Sequence, residues 1–378
     1  MNFKINPSLN SSIGSAQPLP VPLSDFDDSN NLVTPDIDGK DIFTSADKMI
    51  ASAKKSLKLE MYDFQNKQVD GKDGAVGVPG YEEQQNLLPL IIQAAQRGVK
   101  VQVLLDGSTI SSTGLVHNQK MLDYLKSNGV QVLFYPADSV NIDHVKLMVI
   151  DGQDALIGGM NWSSHSPVNH DADVRIEGPA AKDAEQIFDQ DWAFSNGKSY
   201  IQPSVAVPSG NIKFITTSPT KEDGGAKDIE AALIDNINRA QKSIHAEIYV
   251  FTDSLVIQAM KDAHHRGVDV KVIFDPSQVS ANQAAFDELS KAGIQTRWYD
   301  ADTSQHQLLH AKWGVFDDNA LLIGSANWTH NGLSTDLSNA PQGTRANHEA
   351  DVEIKDQALS NVFEKQFQED WDNHTRPA

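Results

Sequence analysis

Apolar residues along this chain follow two periods. Near 44–56, 86–97, 118–128 and 180–192 they recur three and four residues apart, as on one buried helix face. Short β-branched runs at 57–64, 99–105, 130–135 and 146–157 are apolar almost throughout. Runs of the second kind, such as KLMVI at 146–150, suit strands buried on both faces by covering helices. The alternation predicts an α/β sheet.

The same pattern then repeats. AKKSLKLEMYDF at 53–64 matches AQKSIHAEIYVF at 240–251, and RGVKVQVLLD at 97–106 matches RGVDVKVIFD at 266–275. The stretch 144–162 matches 310–328, and NHDADV at 169–174 matches NHEADV at 347–352. Four blocks in one order imply an internal duplication: two homologous α/β/α sandwich halves related by pseudo-two-fold symmetry. We divide the chain into a flexible N-terminal arm at 1–35, a first half at 36–201, a linker at 202–210 and a second half at 211–378. Spacing between matched blocks changes twice. Extra residues of the first half fall at 66–85 and those of the second at 333–345, read as loops at the rim of a site.

Composition narrows the chemistry. With 39% hydrophobic and 22% charged residues the 378-residue chain is globular in type, and no apolar run approaches the ~20 residues of a spanning helix, so no transmembrane segment is expected. The first residues lack a basic stretch followed by an apolar one, which makes the cytoplasm the default location, with non-classical secretion as the alternative. The absence of cysteine removes disulfides, thiolate metal sites and cysteine nucleophiles. A formal charge of -20 disfavours long nucleic acids and anionic bilayers unless bases cluster locally. Lys54, Lys55 and Lys58 are such a cluster, read as a solvated helix face.

His144-Val-Lys146 and His310-Ala-Lys312 place two functional side chains two residues apart, on one face of a strand. An imidazole beside an ammonium suits a phosphate: the lysine holds a nonbridging oxygen while the histidine attacks phosphorus or moves a proton. Asn161 and Asn327 can donate to the same oxygens, and Gly158/Gly159 and Gly324/Ser325 permit the turn that returns them. Glu60 and Glu247 are matched acids in apolar strands, read either as contacts of a catalytic side chain or as exposed strand ends. Trp162 and Trp328 read as core. His306 and His310 have the spacing of some zinc ligands but lack an acidic third, so no metal and no cofactor are expected. His264 and His265 fall on a polar helix.

These residues resemble the phospholipase D superfamily signature H-x-K-x4-D-x6-G-[SG]-x-N. Both copies match, as His144, Lys146, Asp151, Gly158 and Asn161, and as His310, Lys312, Asp317, Gly324 and Asn327, with Gly159 where the second copy has Ser325. The resemblance covers residues 40–372. It implies a metal-independent phosphodiesterase working through a phosphohistidine intermediate, with His144 as nucleophile and His310 as acid and base. It also implies that Asp151 and Asp317 support structure by charge pairing. A carboxylate after each motif should orient its histidine, with Asp173 and Asp351, or their neighbours Asp171 and Glu349, in that place. The implied partner is a phospholipid or other phosphodiester, met through transient contact with a membrane surface, and the reaction is hydrolysis or exchange of the head group. The sequence at 174–181 resembles secreted bacterial phospholipases D. The Asn-Trp-Ser and Asn-Trp-Thr turns resemble nuclease members, which keeps nucleic acid as the alternative substrate; an inactive binding protein is the third reading.

Overall fold

The computed structural model describes residues 21–22, 31–66, 69, 87–109, 114–136, 142–163, 166–199, 210–217, 228–334 and 346–376. In the first half, β1 (Val21–Pro22), β2 (Leu32–Ile37), β3 (Ser56–Met61), β4 (Lys100–Asp106), β5 (Gln131–Tyr135), β6 (Lys146–Ile150), β7 (Asp154–Gly158) and β8 (Ala172–Glu177) form one sheet in the order β1-β2-β8-β7-β6-β3-β4-β5. Strands β3, β4 and β5 run parallel, joined through α2 (Leu87–Gln96) and α3 (Gln119–Ser127); β3, β6, β7, β8 and β2 pair antiparallel. Short connections suffice for the antiparallel pairs, whereas each parallel pair needs a crossover helix.

The second half repeats the plan. Its strands are β9 (Ile212–Thr217), β10 (Ser243–Ile248), β11 (Asp269–Phe274), β12 (Gln295–Tyr299), β13 (Lys312–Phe316), β14 (Ala320–Gly324), β15 (Glu349–Ile354) and β16 (Thr375–Arg376), ordered β16-β12-β11-β10-β13-β14-β15-β9. The duplication therefore extends to topology.

Three apolar clusters hold the molecule together. One joins α1 (Gly39–Ser52), α2 and α3 to the outer face of the first sheet, and a second joins α5 (Asp228–Arg239), α6 (Ser254–His265) and α7 (Val279–Lys291) to that of the second. The third is shared: α4 (Ala181–Ser195) and α8 (Gln357–Asn373) pack with residues of both sheets, and β7 and β8 meet β14 and β15. Trp313, Phe363 and Phe367 are fully buried there, and truncating one such aromatic to Ala costs about 3–5 kcal/mol. The inner layers of the two sandwiches are thus one core.

Three expectations change. The arm at 1–35 is not an arm throughout, because β2 starts at Leu32 and pairs with β8, and Asn31 accepts a hydrogen bond from the Ala180 amide. The run at 146–157 is a hairpin: the chain reverses at Asp151 and Gly152, both with positive φ, between β6 and β7. Asp151 and Asp317 form no salt bridge with a basic side chain among the described residues. Asp151 accepts hydrogen bonds from the amides of Lys54, Lys55 and Ser56, and Asp317 from those of Gln241, Lys242 and Ser243, tying each hairpin to the start of the neighbouring strand. The linker at 202–210, except Gly210, and the loops at 66–85 and 333–345, except Asn66, Val69, Leu333 and Ser334, lie outside the described residues.

Candidate active site at the junction of the two halves

Each His-x-Lys motif enters its strand beside a segment of the opposite half. The His144 amide donates to the His348 carbonyl at 2.8 Å, and the His310 amide to the His170 carbonyl at 2.7 Å. Asp106 and Asp275, at the ends of β4 and β11, fix the approach by accepting from the amides of Asp143 (2.9 Å) and Leu309 (2.7 Å). Backbone pairing of this kind leaves each histidine ring little freedom.

The crossing carries through to the side chains. His144 Nδ1 lies 2.8 Å from Glu349 Oε2, and His310 Nδ1 lies 2.6 Å from Asp171 Oδ2. Of the two alternatives after each motif, the structure therefore places Asp171 and Glu349 on the histidines, each on the ring of the other half. Asp173 and Asp351 instead accept from the amides of Met160 and Ala326, in the turns that lead to the asparagines. Burial pushes both acids up, Asp351 to about 8, as suits a protonated carboxyl.

Lys146 and Lys312 each donate to their own motif carbonyl, of His144 and His310, and lie 5.1 and 5.2 Å from the ring centres of Tyr62 and Tyr249. These tyrosines also pack against His144 and His310, with centroids 4.8 and 4.6 Å apart. A cation over an aromatic face is stabilised without losing its charge. Burial lowers Lys146 to about 7, with Lys312 adding to the effect, and burial lowers Lys312 as well. Burial also lowers both histidines, His310 to about 4, with its own lysine contributing. Glu349 is raised by burial, but His144 and Lys146 bring it below the usual carboxylate value.

Gly159 and Ser325 differ for a reason. Ser325 Oγ donates to Glu349 Oε2 at 2.6 Å, whereas a Cβ on Gly159 would stand 2.4 Å from Asp171 Oδ1. Aspartate is one methylene shorter, so its carboxylate sits where the serine side chain would be. Asn347 adds a bond to Glu349 Oε1 at 2.8 Å, and Asn169 accepts from the Leu308 amide of the other half. Asn161 and Asn327 are half-buried, on turns fixed by the bridges of Phe64 to Trp162 and Phe251 to Trp328. Their Oδ1 atoms have no hydrogen-bond partner among the described residues. Trp162 and Trp328 themselves are core, packed on Phe64 and Phe251.

Glu60 and Glu247 are buried and touch neither catalytic pair. Glu60 faces His348, and Glu247 Oε2 lies 3.2 Å from His170 Nε2. His170 and His348, Tyr62 and Tyr249, and Asp106 and Asp275 are the residues the motif reading passed over. All six stand at matched positions of the repeated blocks, and identity between the copies was the available signal. His117 has no such twin: Asn118 and Asn282 make equivalent bonds, and the place of His117 falls to Ala281. It sits between Asp106 (2.9 Å) and Asp63 (3.3 Å); burial lowers it, but these acids raise it to about 9.

Two sheets of matching topology that bring both motifs to one junction, with their acids exchanged, define a phospholipase D-type scaffold. The chain belongs to the family described as cardiolipin synthase, PLD-like domain, whose model matches residues 47–192 and 233–371. It is 25% identical over 323 residues to cardiolipin synthase 1 of Bacillus cereus, covering 76% of this chain and 58% of that one. It is 26% identical over 365 residues to a cardiolipin synthase of Clostridium perfringens, covering 88% and 69%. The chain thus spans little more than half the length of the Bacillus relative. Phosphatidylserine synthase of Haemophilus influenzae shares the fold, with a TM-score of 0.64 at 15% identity over 92% of this chain and 87% of that one.

Proposed function

We propose that this chain breaks and remakes the phosphodiester of a phospholipid, moving a phosphatidyl group through a phosphohistidine to an alcohol or to water. The observation that carries the reading is the pair of exchanged contacts, His144 to Glu349 and His310 to Asp171, with two lysines between them. A carboxylate on Nδ1 leaves Nε2 of each ring as the reacting atom. His144 Nε2 attacks phosphorus, the bond to the head-group oxygen breaks, and His310, protonated on Nε2 once the bound phosphodiester anion favours its imidazolium, gives that oxygen its proton. An acceptor hydroxyl then loses its proton to His310 and attacks the phosphohistidine, which frees His144. Lys146, Lys312, Asn161 and Asn327 hold the nonbridging oxygens, and the lysines supply the positive charge, so the reading calls for no metal at phosphorus. Two in-line displacements retain configuration.

Lipid is favoured over nucleic acid by the cardiolipin synthase names of the relatives. The Asn-Trp-Ser and Asn-Trp-Thr turns support the nuclease alternative. The test sets wild type and His310→Ala against phosphatidylglycerol vesicles, single-stranded DNA and a chromogenic phosphodiester, with a denaturing quench at neutral pH to trap phosphoenzyme. Turnover of the vesicles and label on His144 are expected. Faster DNA cleavage would make the chain a nuclease, and label on a serine or aspartate would overturn the mechanism.

A further inference from the structure

Next to His144 in sequence, Asp143 meets Glu60 of β3, Asp191 of α4 and His348 of the second half. All four are wholly buried. One ligand atom each of Glu60, Asp143 and His348 lies within 4.8 Å of the others, and an Asp191 oxygen is 3.1 Å from His348 Nε2. Both Glu60 oxygens and Asp143 Oδ2 have no hydrogen-bond partner among the described residues. The bond open to these two acids is one carboxyl to the other, which requires an added proton. Three buried carboxyls face one imidazole, so the cluster needs an added proton or a further positive charge.

The imidazole shows what kind. His348 Nδ1 lies 3.0 Å from the Thr217 carbonyl and donates to it, which turns Nε2 to the acids; burial lowers the imidazole but Asp191 and Asp143 raise it to about 9, so a bound metal would take the place of the Nε2 proton. That second bond is the usual means of fixing a metal-ligating histidine. The matched place in the other half behaves differently. His170 Nδ1 lies 2.5 Å from Asp38 and its Nε2 lies 3.2 Å from both Glu247 and Asp370, so both ring nitrogens face acids and no lone pair is left over. There Leu309 stands where the first half has Asp143. In the twin both ring nitrogens are spent on acids, whereas in the first site Nδ1 is spent on a carbonyl and Nε2 alone faces Glu60 and Asp191.

We propose that Glu60, Asp143, Asp191 and His348 hold one divalent transition-metal ion of the Zn2+ or Mn2+ kind, as a structural pin between the halves. One imidazole nitrogen and three carboxylate oxygens suit such ions, and four protein ligands make a closed site with no position for substrate. The ion stands apart from the phosphate chemistry and does not depend on it. Its effect reaches the site through His348, whose carbonyl receives the His144 amide and whose neighbour Glu349 holds the His144 ring.

The full chain, purified without chelator and then exposed to excess Zn2+ or Mn2+ and desalted, is assayed by elemental mass spectrometry and by melting. About one ion per chain and a higher melting point are expected, because a ligand of the folded state alone stabilises it. Asp143→Leu copies the residue of the twin and so keeps a fold the chain already uses; it should lose both the ion and the shift. Glu60→Gln should do the same, and Glu247→Gln should keep both. No retained ion and no shift in wild type would overturn the proposal and leave the acids protonated. Equal retention by a folded Asp143→Leu would overturn it too, by placing the ion elsewhere.

Discussion

The Nδ1 atom of His144 finds its carboxylate on Glu349, 205 residues further along the chain and 2.8 Å away across the junction of the halves. An amide in that place would keep the shape and lose the charge that supports an imidazolium. Glu349→Gln, and Asp171→Asn for His310, should each lower kcat by about 10²–10⁴ with little change in KM. Steady-state kinetics on a phosphodiester decides; losses below tenfold in both would remove the acids from the mechanism.

Lys146, lowered by burial to about 7, is largely unprotonated in the empty site at pH 8. A bound phosphate favours the ammonium and draws a proton from solution. Calorimetry of inorganic phosphate binding in buffers of different ionisation enthalpy should show net proton uptake at pH 8 that shrinks below pH 7. Lys146→Arg, which stays charged, should take up fewer protons at pH 8. Identical uptake by the two proteins would contradict the lowered lysine.

His117 is raised by Asp106 and Asp63 to about 9 in the folded chain, against about 6.5 unfolded. A raised folded value gives stability that is complete below pH 6.5 and fades as pH climbs through 9. The difference in urea stability between wild type and His117→Gln should therefore be largest near pH 6, at roughly 1–3 kcal/mol, and small by pH 9.5. A difference that grows with pH would reverse the assignment.

Gly159 faces Asp171 where Ser325 faces Glu349. Gly159→Ser alone should push Asp171 off His310 and cost activity at least tenfold, by about 1.4 kcal/mol or more. The double variant Gly159→Ser/Asp171→Glu rebuilds the pattern of the other half and should recover most of the loss. Additive losses in the double variant would mean that the two positions do not interact.

Much of this was legible in the sequence, for identifiable reasons. The two-residue spacing of His144 and Lys146 survives any docking of the halves, and repeated blocks reveal a duplication directly. Which acid serves which histidine was not legible, because Asp171 and Asp173 share a strand face and only the packing of one half on the other separates them. Asp171 precedes β8 and reaches across, while Asp173 is held inside it by the Met160 amide. Strand β2 was missed because Pro35 argues against a strand. Among the described residues its neighbour β1 pairs with Leu32 and Val33 and not with Pro35. His170 and His348 looked like part of a repeat and nothing more, since their partners lie on helices and strands far along the chain.

Exchange of acids between halves also bears on how the protein is made. A nascent or clipped chain that ends before residue 349 carries the first histidine without the group that aims it. Under the proposed chemistry such fragments are inert toward lipid however well the first half folds. Catalytic competence therefore waits until the chain has been made as far as Glu349 and the second half has docked on the first.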